Sequence, residues 1–247
     1  MSGRLFLTGD CHADIDWHKL TTQCFPEQKN LDRNDIVVIM GDAGICFYGD
    51  KADKFIQQWH ENKPYTTLAV RGNHDNTVII KSLPLVPKFG GFAYEVSPHV
   101  YYAKSGEIYD ICGYKCLVIN GAVSMDAARR REGYDWWADE GISKEDLDNA
   151  YKNLEKVDFK VDFIFSHTGG SYNCKAINLN FEPTEADRML DYVLRDVEFN
   201  RHYFAHYHTD KWTFEKAHCL YNCVYEIIDG KEQMQHGINY TKNLTSS

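Results

Sequence analysis

Five short apolar runs in this chain end on side chains that bind metals or move protons. Arg4–Thr8 is followed by Asp10 and His12, Ile36–Met40 by Asp42, and Thr66–Val70 by Asn73 and His74. Val161–Phe165 is followed by His167, and His202–Ala205 by His206 and His208. The donors are carboxylate oxygen, amide oxygen and imidazole nitrogen, with no thiolate among them. That set suits Mn, Fe, Zn or Ni in an open catalytic site better than a closed structural zinc. The seven groups Asp10, His12, Asp42, Asn73, His167, His206 and His208 are more than one ion needs. They match two divalent ions with one carboxylate shared.

Such groups act together only if the fold gathers them. In open α/β sheets, binding sites collect beyond the carboxyl ends of the strands, so five runs ending on donors predict one shared site. Asp10 and His12 are two residues apart, as are His206 and His208, and extended backbone would turn each pair to one side. Gly9, Gly41 and Gly72 precede the donors, where tight turns and close backbone approach are needed.

The runs, with Cys116–Ile119, read as strands, and Ile36–Met40 is apolar enough to be covered on both faces. Phe92–Val96, Val100–Tyr102, Glu107–Ile111 and Leu220–Ile228 read as strands of a second sheet, the last entering an Asp229-Gly230 turn. Helices are expected over Asp14–Cys24 and Asp50–Asn62. Another should run from a capping box at Ser143 and Asp146 to about Leu154, and a further one should start at Thr184. The expected architecture is α/β: a four-layer αββα sandwich of two mixed β-sheets flanked by helices. Residues 1–247 are expected to form a single domain, since no repeat, linker or low-complexity tract interrupts them.

A formal net charge of -9 argues against long duplex nucleic acid or a membrane surface as partner, because both need a basic face. It leaves room for a single phosphate, since bound metal ions reverse the charge locally. The chain opens without a long apolar segment, and no apolar run is long enough to span a bilayer. Its eight cysteines are scattered and read as reduced thiols of a cytoplasmic protein. His18, His60, His99, His202, His218 and His236 match no motif and read as surface or hydrogen-bonded histidines.

Asp10-x-His12, Gly41-Asp42, Gly72-Asn73-His74-Asp75, His167 and His206-x-His208, in this order, resemble the calcineurin-like metallophosphoesterase superfamily. The resemblance runs from about residue 4 to residue 208. It implies that Asp10, His12, Asp42 and His208 hold one ion, and that Asp42, Asn73, His167 and His206 hold the other. Asp42 is then the bridge, and Mn is the first candidate metal. The resemblance also makes His74 a catalytic group beside the scissile phosphate rather than a ligand.

One motif departs from the pattern. Many protein phosphatases of the superfamily carry Gly-Asp-x-x-Asp-Arg where this chain has Gly41-Asp42-Ala43-Gly44-Ile45-Cys46. Both the carboxylate that orients the motif-three histidine and a phosphate-clamping arginine are missing. Asp75 is the candidate to orient His74 instead. Arg71 and the run Arg129-Arg130-Arg131 are candidate phosphate contacts, because a guanidinium meets phosphate through paired hydrogen bonds. The run lies in a polar insertion at about residues 121–155 that also carries Trp136 and Trp137 and is expected to form a substrate lip. A similar insertion marks a bacterial and phage branch of the superfamily.

The chemistry expected is hydrolysis of a phosphate ester by a hydroxide bridging two metals, with the metals neutralising the phosphate oxygens. A phosphodiester and a phosphomonoester are equally compatible, and the substrate is expected to be small or nucleotide-like. A different class is also compatible: a module that keeps the metals to bind a phosphorylated ligand without turnover. A nuclease subunit acting with a partner is a third reading.

Overall fold

The computed structural model describes residues 3–237. Its layering follows from alternation along the first strands. In β1 (Leu5–Thr8), Leu5 and Leu7 enter one apolar cluster and Phe6 enters another. In β2 (Ile36–Ile39), Ile36 and Val38 join the first cluster while Val37 and Ile39 join the second. Successive side chains of a strand point to opposite faces, so a strand apolar at every position has to be covered twice. β3 (Thr66–Ala69) is likewise buried throughout.

The remaining strands are β4 (Leu85–Lys88), β5 (Gly91–Ser97), β6 (Val100–Ala103), β7 (Ile108–Ile111), β8 (Tyr114–Ile119), β9 (Lys160–Ser166) and β10 (Glu198–Phe204). They are followed by β11 (Lys211–Phe214), β12 (Ala217–Cys219), β13 (Cys223–Ile228) and β14 (Lys231–Gly237). One sheet has the order β14-β13-β1-β2-β3-β6-β5-β4 and the other β11-β12-β10-β9-β8-β7. Both are mixed. β1, β2, β3 and β6 run parallel in the first sheet, as do β8, β9, β10 and β12 in the second.

The sheets face each other across a core in which Leu7, Val38 and Leu68 share a cluster with Phe163, Phe165 and Tyr203. Helices cover the outer faces. α1 (Lys51–Glu61) and α2 (Thr77–Ser82) place Ile56 and Ile80 with Phe6 and Val37 of the first sheet. α3 (Lys144–Leu154) and α5 (Glu185–Asp196) bring Leu154, Leu190 and Val193 against Leu117 and Ile164 of the second. Between them α4 (Ser171–Ile177) packs beside β11. The capping box at Ser143 and Asp146 is present, and Thr184 makes another with Asp187. The architecture is the expected αββα sandwich.

Two expectations about elements need correction. β5, β6 and β13 belong to the first sheet, and of the segments assigned to a second sheet only β7 lies there. The stretch after His12 is not an α-helix. It holds one 3-10 turn, Trp17–Leu20, because its polar groups are committed elsewhere. The Leu20 carbonyl accepts from the Lys63 ammonium (2.7 Å) and from the Gln28 amide (3.1 Å), instead of a next helical turn.

Candidate metal centre

All five donor-bearing segments leave the carboxyl ends of parallel strands, β1, β2 and β3 from one sheet and β9 and β10 from the other. The two ladders face each other, so their ends open on the same rim. Three overlapping groups of ligand atoms result: Asp10, His12 and His208; His12, Asp42 and His74; and Asp42, His167 and His206.

Asp42 stands between the halves. Its Oδ2 lies 3.1 Å from His167 Nε2 and 3.5 Å from His12 Nε2, while its Oδ1 accepts the His74 backbone N–H at 2.7 Å. Asp10 Oδ2 is fully buried, has no hydrogen-bond donor, and points to His208 Nε2 at 3.1 Å. A carboxylate oxygen kept from water without a donor is costly. It is the kind of atom a cation satisfies. Asn73 Oδ1 sits 3.1 Å from His167 Nε2, within the second half.

Both ligating-type imidazoles of the inner cluster are oriented through their far nitrogens. His12 Nδ1 pairs with Asp16 Oδ2 at 2.8 Å, and His167 Nδ1 donates to the Met40 carbonyl at 2.8 Å. This leaves each Nε2 facing the carboxylates, the arrangement in which a second partner fixes the tautomer of a metal-binding histidine. His208 stacks on Tyr221, ring centroids 4.9 Å apart. The buried Lys19 ammonium donates to the Asp10 carbonyl and, at 2.5 Å, to that of Tyr221. Asp16, Lys19 and Tyr221 were not legible as site residues. The one signal in the sequence is Asp16 standing four residues after a ligand-type histidine.

The close approach of the segments explains the glycines. A Cβ on Gly41, whose φ is +108°, would sit 2.1 Å from His167 Nδ1, and one on Gly72 would sit 2.1 Å from Asp42 Oδ1. The donor pairs are not extended, however. His12, Asp42, His206 and His208 have φ of 43°, 47°, 70° and 49°. The chain therefore coils left-handed at the strand ends, and His206 and His208 diverge into different halves of the cluster.

Charge within the cluster is balanced internally. Burial alone would raise the Asp10 and Asp42 carboxyls, but the surrounding histidines hold both below the usual carboxylate range. Burial opposes protonation of His12 and His167, yet the same carboxylates outweigh it and push each up to about 9. His206, half-buried and next to His167, falls to about 4, desolvation being the main cause.

His74 is half-buried and within reach of the cluster. Arg130 faces both of its ring nitrogens, Nη1 to Nδ1 at 3.1 Å and Nη2 to Nε2 at 3.4 Å, and is itself paired with Asp126 at 2.6 Å. Burial, aided by Arg130 and against the pull of Asp42, holds His74 below the ordinary imidazole value. Asp75 does not orient it. Its carboxylate is fully buried and takes the Gly72 and Gly44 N–H groups (2.9 and 3.0 Å) and the Tyr102 hydroxyl (2.8 Å). It ties the motif-two loop to the motif-three loop.

Arg71 is also turned away. Its guanidinium donates to the carbonyls of Glu140 (2.7 Å) and Gly141 (3.2 Å), beside a separate cleft of about 950 Å³. Arg129 and Arg131 are exposed, and Arg131 lies over Tyr134. Of the four arginines only Arg130 reaches the cluster. A cavity of about 300 Å³ opens over Asp42, Asn73, His74, His206 and His208, with Phe181 and Tyr207 stacked on its wall.

Among solved structures the chain is similar to a protein of unknown function from Aquifex aeolicus, 14% identical over 80% of this chain and 88% of that one, with a TM-score of 0.34. A cold-active protein-tyrosine phosphatase from a psychrophilic Shewanella is 12% identical over 96% and 81%, with a TM-score of 0.39. A further structure of a cold-active protein tyrosine phosphatase is 14% identical over 96% and 81%, with a TM-score of 0.37. None of the curated proteins compared with the chain matches it. The family model of the calcineurin-like phosphoesterases matches residues 3–210, a span holding all five strand ends of the cluster, and the chain belongs to that family.

Proposed function

We propose that this protein hydrolyses a small phosphate ester using two divalent metal ions. The position of Asp42 Oδ2, between His12 on one side and His167 on the other, carries the reading. Asp10, His12, Asp42 and His208 would hold one ion, and Asp42, Asn73, His167 and His206 the other, with manganese the first candidate. The orphaned Asp10 oxygen and the imidazoles oriented from behind fit that occupancy. When bound, the pair would neutralise phosphate oxygens and supply an acidified water as nucleophile.

The residues around the ions divide the other tasks. His74 lies within reach of His12 and Asp42, and the family resemblance makes it a catalytic group beside the phosphate rather than a ligand. Released when Arg130 moves to the phosphate, His74 takes up a proton and passes it to the leaving alkoxide. Arg130 swings from His74 onto a phosphate oxygen, replacing the arginine missing after Gly41-Asp42. It comes from the segment after β8, which forms the lip. The cavity of about 300 Å³ is at the small end of ligand sites, which favours a compact or nucleotide-like substrate over a phosphoprotein. The eight cysteines, none in a disulfide, fit a reducing compartment and a cytoplasmic location. Among the described residues no helix is long and apolar enough to cross a membrane.

The test is turnover of bis-p-nitrophenyl phosphate and p-nitrophenyl phosphate by metal-stripped protein with and without Mn²⁺. Metal-dependent release of nitrophenol from either is expected, and the ratio assigns diester or monoester preference. Two bound Mn²⁺ with no turnover of either ester would favour a phospho-ligand binding module.

A further inference from the structure

The segment between β8 and α3 carries a second device, reaching the cluster from behind. Glu140 is buried, and both of its carboxylate oxygens go to one residue: Oε1 accepts the Ser124 backbone N–H at 2.5 Å and Oε2 accepts the Ser124 hydroxyl at 2.8 Å. With its only hydrogen committed to Glu140, Ser124 Oγ can act towards a third group only as an acceptor. It accepts from Asn73 Nδ2 at 3.1 Å.

The two ends of an asparagine amide have nearly the same shape, and its partners decide which end points where. Ser124 takes the donor end. The acceptor end, Oδ1, is thereby turned to His167 Nε2 at 3.1 Å, inside the half of the cluster that holds His206. The relay is anchored to the strand ends as well. The Glu140 carbonyl accepts from Arg71, whose backbone N–H donates to Asn120 Oδ1 at 3.0 Å.

We propose that Ser124 and Glu140 are positioning residues that hold the Asn73 amide with its oxygen towards the His167–His206 half, so that this metal position depends on the 121–141 segment being folded onto the body. The inference rests on the two-metal reading above. It also gives the segment a purpose that Arg130 does not. Without the Glu140 carboxylate, the Ser124 hydroxyl could turn and donate, and the amide could present its NH₂ end to a cation.

The experiment is a Mn²⁺ titration of metal-stripped protein by calorimetry, with bound metal counted after desalting and thermal unfolding of the metal-free form recorded alongside. Wild type is expected to bind two Mn²⁺. Ser124→Ala should keep one site at wild-type affinity and weaken the other about 10–100-fold, the usual cost of losing a partner behind a ligand. Its metal-free melting temperature should stay near that of wild type, and Ser124→Thr, which keeps the hydroxyl, should recover the second site.

An aspartate at position 73 has oxygen at both ends and needs no orienting. In an Asn73→Asp background, Ser124→Ala should therefore change neither site further. Two sites of unaltered affinity in Ser124→Ala would overturn the proposal, as would parallel weakening of both sites with a fall in melting temperature. Fewer than two Mn²⁺ on wild type would instead overturn the two-metal reading beneath it.

Discussion

Four residues of the cluster, His12, Asp42, His206 and His208, sit in left-handed backbone that β-carbon sterics disfavour. Each such residue costs on the order of 1–3 kcal/mol and persists where its surroundings over-determine it. Here the surroundings are the closing of strand ends over a small volume, and the return is convergence of donors from two sheets. In the two-metal reading proposed above, Asp42 is the residue shared by both ions. Asp42→Asn is expected to lower bound Mn²⁺ at both positions and to abolish turnover, read by metal analysis and by the nitrophenyl ester assay. Full metal content with wild-type turnover would remove Asp42 from its role. His74→Ala is expected to separate the two readouts, cutting turnover about 10²–10⁴-fold, the usual worth of a general acid, with both metals retained. Loss of metal in that variant would make His74 a ligand instead. The donors were legible because residue type and strand end coincide five times in order. Asp75 was not: the same carboxylate beside a histidine serves equally well to clamp loops, and only its partners Gly44, Gly72 and Tyr102 separate the two uses.

At the scale of elements, the strands that read most clearly are those apolar on both faces, since burial on both sides leaves no polar alternation to interpret. Which sheet a strand joins was not legible. β6 pairs with β3, placing Tyr101 in the core between the sheets and Tyr102 in the layer outside them, and a strand of the other sheet would show the same composition. The 3-10 turn after His12 was hidden for a related reason. Its helix-forming pattern is overridden by Lys19 and Asp16, which serve the cluster. Loop-to-loop ties are the elements' other contribution. Tyr102, from β6, donates to Asp75 and so joins a strand to both motif loops. Tyr102→Phe leaves that buried carboxylate one donor short, and such a loss costs about 1–3 kcal/mol. Chemical unfolding should show that drop while the apolar ring still fills its place. A variant as stable as wild type would mean that Asp75 is held by the backbone N–H groups alone.

Considered whole, the molecule adds to the titrating cluster, where His12 and His167 are raised and His206 is lowered, two histidines buried outside it that withdraw stability in acid. His60 is one. It is completely buried on α1 against Trp59, and neither ring nitrogen has a hydrogen bond, unlike the surface or bonded histidine expected there. His202 is the second. Ser166 donates its hydroxyl hydrogen to the Thr168 carbonyl, so His202 Nε2 must donate to Ser166 Oγ (2.7 Å), and Nδ1 is left without a partner. Burial lowers both from 6.5 to about 3, so both are neutral in the folded protein at any moderate pH. Between those two values the unfolded chain binds more protons than the folded one, and stability then rises with pH. It follows that these groups add no pH dependence above about 6.5 and withdraw stability as the pH falls from there towards 3. Well inside that window each contributes a slope of up to about 1.4 kcal/mol per pH unit. Urea unfolding at pH 7.0 and 5.5 isolates the His60 contribution by difference: metal-free His60→Phe should lose about 1 kcal/mol less than metal-free wild type between the two, whatever its absolute stability and whatever the cluster histidines add. An identical loss in the variant would show that His60 takes up its proton without unfolding, and that the layer between α1 and the first sheet admits water.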